Sequence, residues 1–365
     1  MTNFKKKQFY FLLKLFSAFF FLFLSACAPR LTLLVSPEAQ SVGAMIAQKA
    51  RTTAELGSLV LAPDTVWPKS GLVVRLSTTP NWNLPHGAPQ SVPMSATVSN
   101  KSFIPLAALA ALGKNKNGTW AALPVFYDTV GTLAYNVPGS VTPLPQWQDL
   151  DKKVWKNRVM FAGRSPLMRQ AIFFLESPLS TLPSASNWFT QAPESWKNAL
   201  KALSGWILSP AWAPSTWQFA AADVKFWQKP KTPYVFAETY RQFELTQQPG
   251  LAHFAAWQKK QGKETWVTGP VLFLEFYPGT SDSNEVKALV ALVTSPAFQG
   301  EVGAQQKWLA VNLLAPEIDN SSAQVRTLTR NASGFIPVTE RLPDPLPERN
   351  LMSSIQVAID YAKKH

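Results

Sequence analysis

The sequence is poor in residues that perform chemistry. Its 365 residues include one cysteine and three histidines, His86, His253 and His365. A lone thiol forms no internal disulfide. Three histidines remote from one another fall short of the four ligands, or three plus water, that zinc takes. No metal and no cofactor is expected. The phosphate-cradling and dinucleotide glycine loops are absent, as is the G-x-S-x-G of a nucleophile elbow. A paired-carboxylate glycosidase remains open, with Glu238, Glu244, Glu264 and Glu275 as candidates by elimination. Acids number 22 against 35 lysines and arginines, for a formal net charge of +13. The bases are scattered, with Lys5–Lys7 the one run of three, so the charge reads as surface bias and no nucleic-acid partner is expected. There is no internal repeat and no low-complexity tract.

What the chain does have starts at its first residues. Lys5, Lys6 and Lys7 precede an apolar run from Phe9 to Leu24 that only Lys14 interrupts. A charged start before an apolar stretch is the pattern of a signal peptide. It closes on Leu24-Ser25-Ala26-Cys27, which resembles the bacterial lipobox. Residues 1–26 are therefore expected to be cleaved, Cys27 to carry lipid, and the protein to sit on the cell membrane facing periplasm or exterior. About 340 residues remain, enough for two lobes of ordinary domain size. Hydrophobic content of 46 % supports packed cores, while 30 prolines and 14 tryptophans point to many loops and to aromatic surplus.

Leu31–Val35 reads as a buried first strand. Ser36 and Pro37 mark a helix start, continued by Val42, Met45 and Ile46 and ended by Gly57. Apolar runs Leu59–Leu61 and Leu72–Leu76 follow, and strand, helix and strand in this order predict an α/β lobe with a largely parallel sheet. Residues 77–100, holding Trp82 and His86, form a long loop. A short helix is expected over Ile104–Leu112 and extended chain from Trp120 to Asn136. Further on come helices at Leu167–Leu175 and Ser195–Leu208. Val271–Phe276 is a strand, and helices follow at Asn284–Thr294, from Pro296 to Trp308, and at Leu351–Lys363.

The segment Ala122-Leu123-Pro124-Val125-Phe126-Tyr127-Asp128 continues through Thr129 to Tyr135-Asn136, then reaches Pro143, Pro145 and Trp147-Gln148-Asp149-Leu150. It resembles the crossover strand of the family 1 extracellular solute-binding proteins, the group that contains maltose-binding protein. Downstream, Leu272–Tyr277, Glu285–Val293, Ser295-Pro296-Ala297-Phe298-Gln299, Trp308–Asn312 and Gly334-Phe335-Ile336-Pro337 follow the same family's order and spacing. The first lobe is a weaker match, with Ala62-Pro63-Asp64 an echo of the family's strand end.

The resemblance implies an α/β, two-lobed periplasmic-binding-protein-like fold with a ligand cleft between the lobes. Lobe 1 would comprise 28–130 plus 268–312, and lobe 2 would comprise 131–267 plus 313–365. It implies a substrate-binding lipoprotein of an ABC importer, not an enzyme, with permease subunits as partners and a sugar or oligosaccharide as solute. Asp128, a carboxylate inside an apolar strand, is expected to face the cleft. Tyr127, Trp82, Trp120, Trp206, Trp308 and Phe335 are expected to supply aromatic surface to it. An anionic solute would call for arginine there, a polyamine for several carboxylates. A lipid-anchored glycan-acting enzyme and a structural surface lipoprotein stay as alternatives.

Overall fold

The computed structural model describes residues 31–80, 86–94, 102–135, 146–149, 159–161, 167, 170, 171, 175, 234–246, 251–280 and 283–339. Cys27 with the leader, Trp82, Trp206, and the expected helices at 195–208 and 351–363 lie outside the described residues.

Strand β1 (Leu31–Val35) is buried at all five positions, as an apolar run covered on both faces requires. Pro37 opens a 3-10 turn that runs into helix α1 (Gln40–Ala50), and Val42, Met45 and Ile46 form its buried face. Two expectations are corrected here. Ser36 makes no capping hydrogen bond, and its hydroxyl is buried without a partner. The helix also stops well before Gly57. The hydroxyls of Thr52 and Thr53 donate to the Lys49 carbonyl at 2.8 and 3.2 Å, offering that acceptor an alternative to another helical turn.

The chain continues through β2 (Val60–Pro63), β3 (Leu72–Ser77), α2 (Ala107–Gly113), β4 (Leu123–Tyr127) and β5 (Val130–Tyr135). Then follow β6 (Val159–Phe161), β7 (Tyr234–Thr239), α3 (Tyr240–Thr246), β8 (Leu251–Ala256), β9 (Gln258–Gln261), β10 (Glu264–Gly269) and β11 (Val271–Phe276). The described chain closes with α4 (Asn284–Thr294), α5 (Pro296–Gln306), β12 (Leu309–Ala310), α6 (Asn320–Arg330) and β13 (Gly334–Pro337). Leu167, Gln170, Ala171 and Leu175 are helical.

Two lobes of α/β structure result. The first is built on a six-stranded sheet in the order β12-β4-β11-β3-β1-β2, the second on a four-stranded sheet β6-β7-β5-β8. A three-stranded sheet, β13-β10-β9, joins the set. In the large sheet β1 lies parallel to both β2 and β3, while β11 runs antiparallel to β3 and to β4. The apolar faces of α1, α4 and α5 cover it through Ile46, Leu289, Val293 and Phe298, each such buried side chain contributing about 1.5–3 kcal/mol. Ser283 and Ser295 cap α4 and α5 by accepting from the Val286 and Phe298 amides. Lys307, in the left-handed region at φ 60°, ends α5. Helix α5 therefore stops short of Trp308, which begins the approach to β12.

Candidate functional site

Strands β1, β2, β3 and β4 all end at one edge of the six-stranded sheet, because β3 and β4 both oppose β11. That edge carries Ser36, Asp64, Thr78, Thr79 and Asp128. Binding residues of open α/β sheets collect outside the carboxyl ends of the strands. The chain also passes between the sheets here. Asp128 and Thr129 link β4 to β5, and Pro270 links β10 to β11. These passages are bonded side by side, with the Asp128 amide donating to the Pro270 carbonyl at 2.8 Å and the Val338 amide to Gly269 at 3.0 Å. A Cβ on Gly269 would lie 2.0 Å from the Asp128 carbonyl oxygen, so only glycine permits this spacing.

Asp128 is 2 % exposed. Its Oδ1 accepts from the Thr129 amide at 2.7 Å and from the Arg241 amide at 3.1 Å, which ties the first passage to the start of α3. Burial pushes its carboxyl up to about 7, against the pull of these two amides and of the Arg241 charge. Arg241 reaches back across the junction. Its Nε donates to the Gln306 carbonyl at 2.9 Å and its guanidinium lies 5.3 Å above the Trp308 ring. Beside it Lys307 faces Glu244 at 3.9 Å. Trp308 is 3 % exposed and its indole Nε1 has no hydrogen-bond partner.

A second polar cluster lies on the same edge. Arg75, fully buried within β3, donates from Nη2 to Asp64 at 2.8 Å and from Nη1 to Glu275 at 2.9 Å and to the Thr79 carbonyl at 2.9 Å. Charges buried this deeply persist only when paired and hydrogen-bonded. Trp67 packs edge-on against Tyr277 at 4.7 Å nearby. The Thr78 hydroxyl meets that of Thr339 at 2.9 Å, and Gln170 holds Thr339 through its carbonyl and its amide. Ser36, Thr79 and Thr129 keep buried hydroxyls with no partner. Among the described residues no three His, Cys, Asp or Glu side chains gather as a metal would require.

The structure brings together Asp128 and Trp308 through Arg241, and separately Tyr127 and Phe335. Tyr127 is wholly buried and meets Phe335 edge-on at 5.8 Å; burial drives its phenol well above the usual range. This pair packs the core beneath α6 and presents no ring face outward. Trp120 lies in the first lobe's core, 6.3 Å from Phe103 and covered by the Lys114 ammonium at 4.7 Å. Its hairpin-like contacts with Met94 and Lys114 explain that burial. Of the four glutamates considered for catalysis, Glu275 is held by Arg75 and Glu244 faces Lys307. Glu238 accepts from the Thr239 amide, and Glu264 from the Trp266 indole.

Sequence reasoning missed Arg75 and Arg241, and met Asp64 only as an echo of a family strand end. Arg75 carried a signal, a full charge inside Leu72-Val73-Val74-Arg75-Leu76. Arg241 carried none, since it opens an ordinary amphipathic turn.

No family model matches the chain, and no curated protein matches it in sequence. Solved structures do resemble it. A family 1 extracellular solute-binding protein from Bifidobacterium longum subsp. infantis shares 12% identity at a TM-score of 0.61, over 92% of this chain and 97% of that one. The maltose-maltodextrin binding protein of Alicyclobacillus acidocaldarius shares 15% at a TM-score of 0.56, over 91% of this chain and 100% of its own. Clostridium botulinum thiaminase I, solved with thiamin, shares 10% at a TM-score of 0.60, over 91% and 100%. Identities this low speak to the fold alone. The chain has the two-lobed fold of these proteins.

Proposed function

We propose that this two-lobed chain is the substrate-binding component of an ABC importer and takes a sugar or oligosaccharide between its lobes. One observation carries the reading. At the carboxyl edge of the large sheet, Ser36, Thr79 and Thr129 keep buried hydroxyls with no partner, while the charges of Arg75, Asp64 and Glu275 are engaged with one another. Buried polar groups without partners call for an explanation. A polyhydroxylated solute, donor and acceptor at each hydroxyl, suits an edge this rich in hydroxyls. Likeness of fold to a maltodextrin-binding protein and to a family 1 solute-binding protein supports the same reading. Closure would be driven by contacts that exist only when both lobes meet the solute.

The test is a thermal-shift screen of the full chain in detergent against sugars, peptides and small cations, followed by chromatography of each stabilising compound. A saccharide should raise the unfolding midpoint and be recovered intact. Recovery of a cleaved product would favour an enzyme, as the thiaminase likeness allows; no shift with any saccharide would defeat the proposal. Export and lipid attachment at Cys27 complete it, from the leader sequence alone. Palmitate labelling should vanish in Cys27→Ala, and its persistence there would remove the anchor from the proposal.

A further inference from the structure

Arg241 is held on two sides and open on the third. Its Nε is taken by the Gln306 carbonyl and one face of its guanidinium by the Trp308 ring. Its Nη1 and Nη2 groups have no hydrogen-bond partner among the described residues. Asp128 feels the Arg241 charge, but among the described residues no hydrogen bond or ion pair joins its carboxylate to the guanidinium, and its Oδ1 accepts from the backbone amides of Thr129 and Arg241. Trp308 adds a further donor, an indole N–H at 3 % exposure with no acceptor. Among the described residues, three nitrogens carrying five N–H bonds therefore lack acceptors within one contact, beside the passage between the lobes.

We infer that the solute carries a carboxylate, and that Arg241, braced on Trp308, is the group that reads it. This rests on the solute-binding reading above and narrows it to an acidic saccharide. The two Nη groups present a planar fork that matches a carboxylate in two parallel hydrogen bonds. A phosphate dianion fits less well, since Lys307 already faces Glu244 and, among the described residues of this cluster, Arg241 is the cation that keeps donors without an acceptor. The bracing matters too, because a pre-positioned fork loses little side-chain freedom on binding.

Titration calorimetry on the full chain in detergent compares D-glucuronate and D-galacturonate, and their trimers, with the neutral sugars and with glucose 6-phosphate. An acidic sugar should bind about ten-fold or more tighter than its neutral counterpart, the usual effect of hydrogen bonds to a charged group. Arg241→Gln should bring the acid down to the affinity of that neutral counterpart. Trp308→Phe, which keeps a ring beneath the guanidinium and removes the N–H, should erode the preference in part. Equal binding of acid and neutral sugars, tightest binding of the phosphate, or a preference that survives Arg241→Gln overturns the inference and leaves a neutral-sugar receptor standing. If no saccharide binds at all, both this inference and the solute-binding reading fall.

Discussion

Asp128 makes the stability of the junction depend on pH in a direction opposite to that of most carboxylates. Its carboxyl titrates at about 7 in the folded protein against an ordinary 3.8. Between those values the folded state holds a proton that the unfolded state has released, so stability falls as pH rises. Below about 4 the group contributes nothing; above about 7 the penalty is complete. The gap corresponds to about 4 kcal/mol at 1.36 kcal/mol for each unit. Asp128→Asn stays neutral throughout and keeps an oxygen for the Thr129 and Arg241 amides. Urea unfolding from pH 4.5 to 8.5 should therefore show the variant nearest the wild type at the acid end, about 1 kcal/mol apart. It should be increasingly the more stable of the two toward pH 8. Glu244, raised mainly by burial, and Glu285, lowered by the Ser283 hydroxyl, titrate in both proteins and cancel in the difference. Asp128→Ala separates the two roles of the side chain, since it strands two buried amides at about 1–3 kcal/mol each and should be destabilised at every pH. A difference between Asp128→Asn and wild type that stays constant across the range would refute the reasoning.

Two further perturbations probe the frame around the site. Arg75→Met leaves Asp64 and Glu275 buried without their cation, and should lower stability by about 3–5 kcal/mol in chemical denaturation; a loss below about 1 kcal/mol would mean the carboxylates find other partners. Gly269→Ala places a methyl group against the Asp128 carbonyl and should cost about 1–3 kcal/mol, as overpacking does, read as a fall in thermal midpoint. An unchanged midpoint would show that the passages between lobes can move apart freely.

Elements whose signals are local were legible from sequence. Val271–Phe276 and Asn284–Thr294 fall where the sequence reading places them, and the structure adds the cap at Ser283. The Asn312 of the family-like stretch also has a physical reason: its Nδ2 donates to Ser102 and Thr294 carbonyls at 2.9 Å each, and its Oδ1 accepts from Ile104 and Leu314 amides. What escaped was long-range. Asp128 did need partners, as a buried carboxylate must; one is the adjacent Thr129 amide, but the other belongs to Arg241, 113 positions away. Trp120 looked like a candidate for the cleft because indoles serve equally as platforms and as core, and nothing in its neighbours distinguished the two. Helix α1 ended early because two threonine hydroxyls competed for one carbonyl, a contest that a glycine-based stop signal does not register.

The position of β11 has a consequence for how the chain reaches its native state. It lies between β4 and β3 in the middle of the large sheet, yet Glu275 finds Arg75 only across 200 positions of sequence. Until the segment from Val271 onward has emerged and turned back, β3 and β4 each present an unpaired flank, and Arg75 waits beside Asp64 without its second carboxylate. Contacts of such separation slow folding, because the entropy of closing the loop is spent before the pairing is gained. Unpaired strand flanks invite association with other chains in the meantime. Refolding from urea should therefore be slow and concentration-sensitive, with the first lobe the late one to close although its strands are made first.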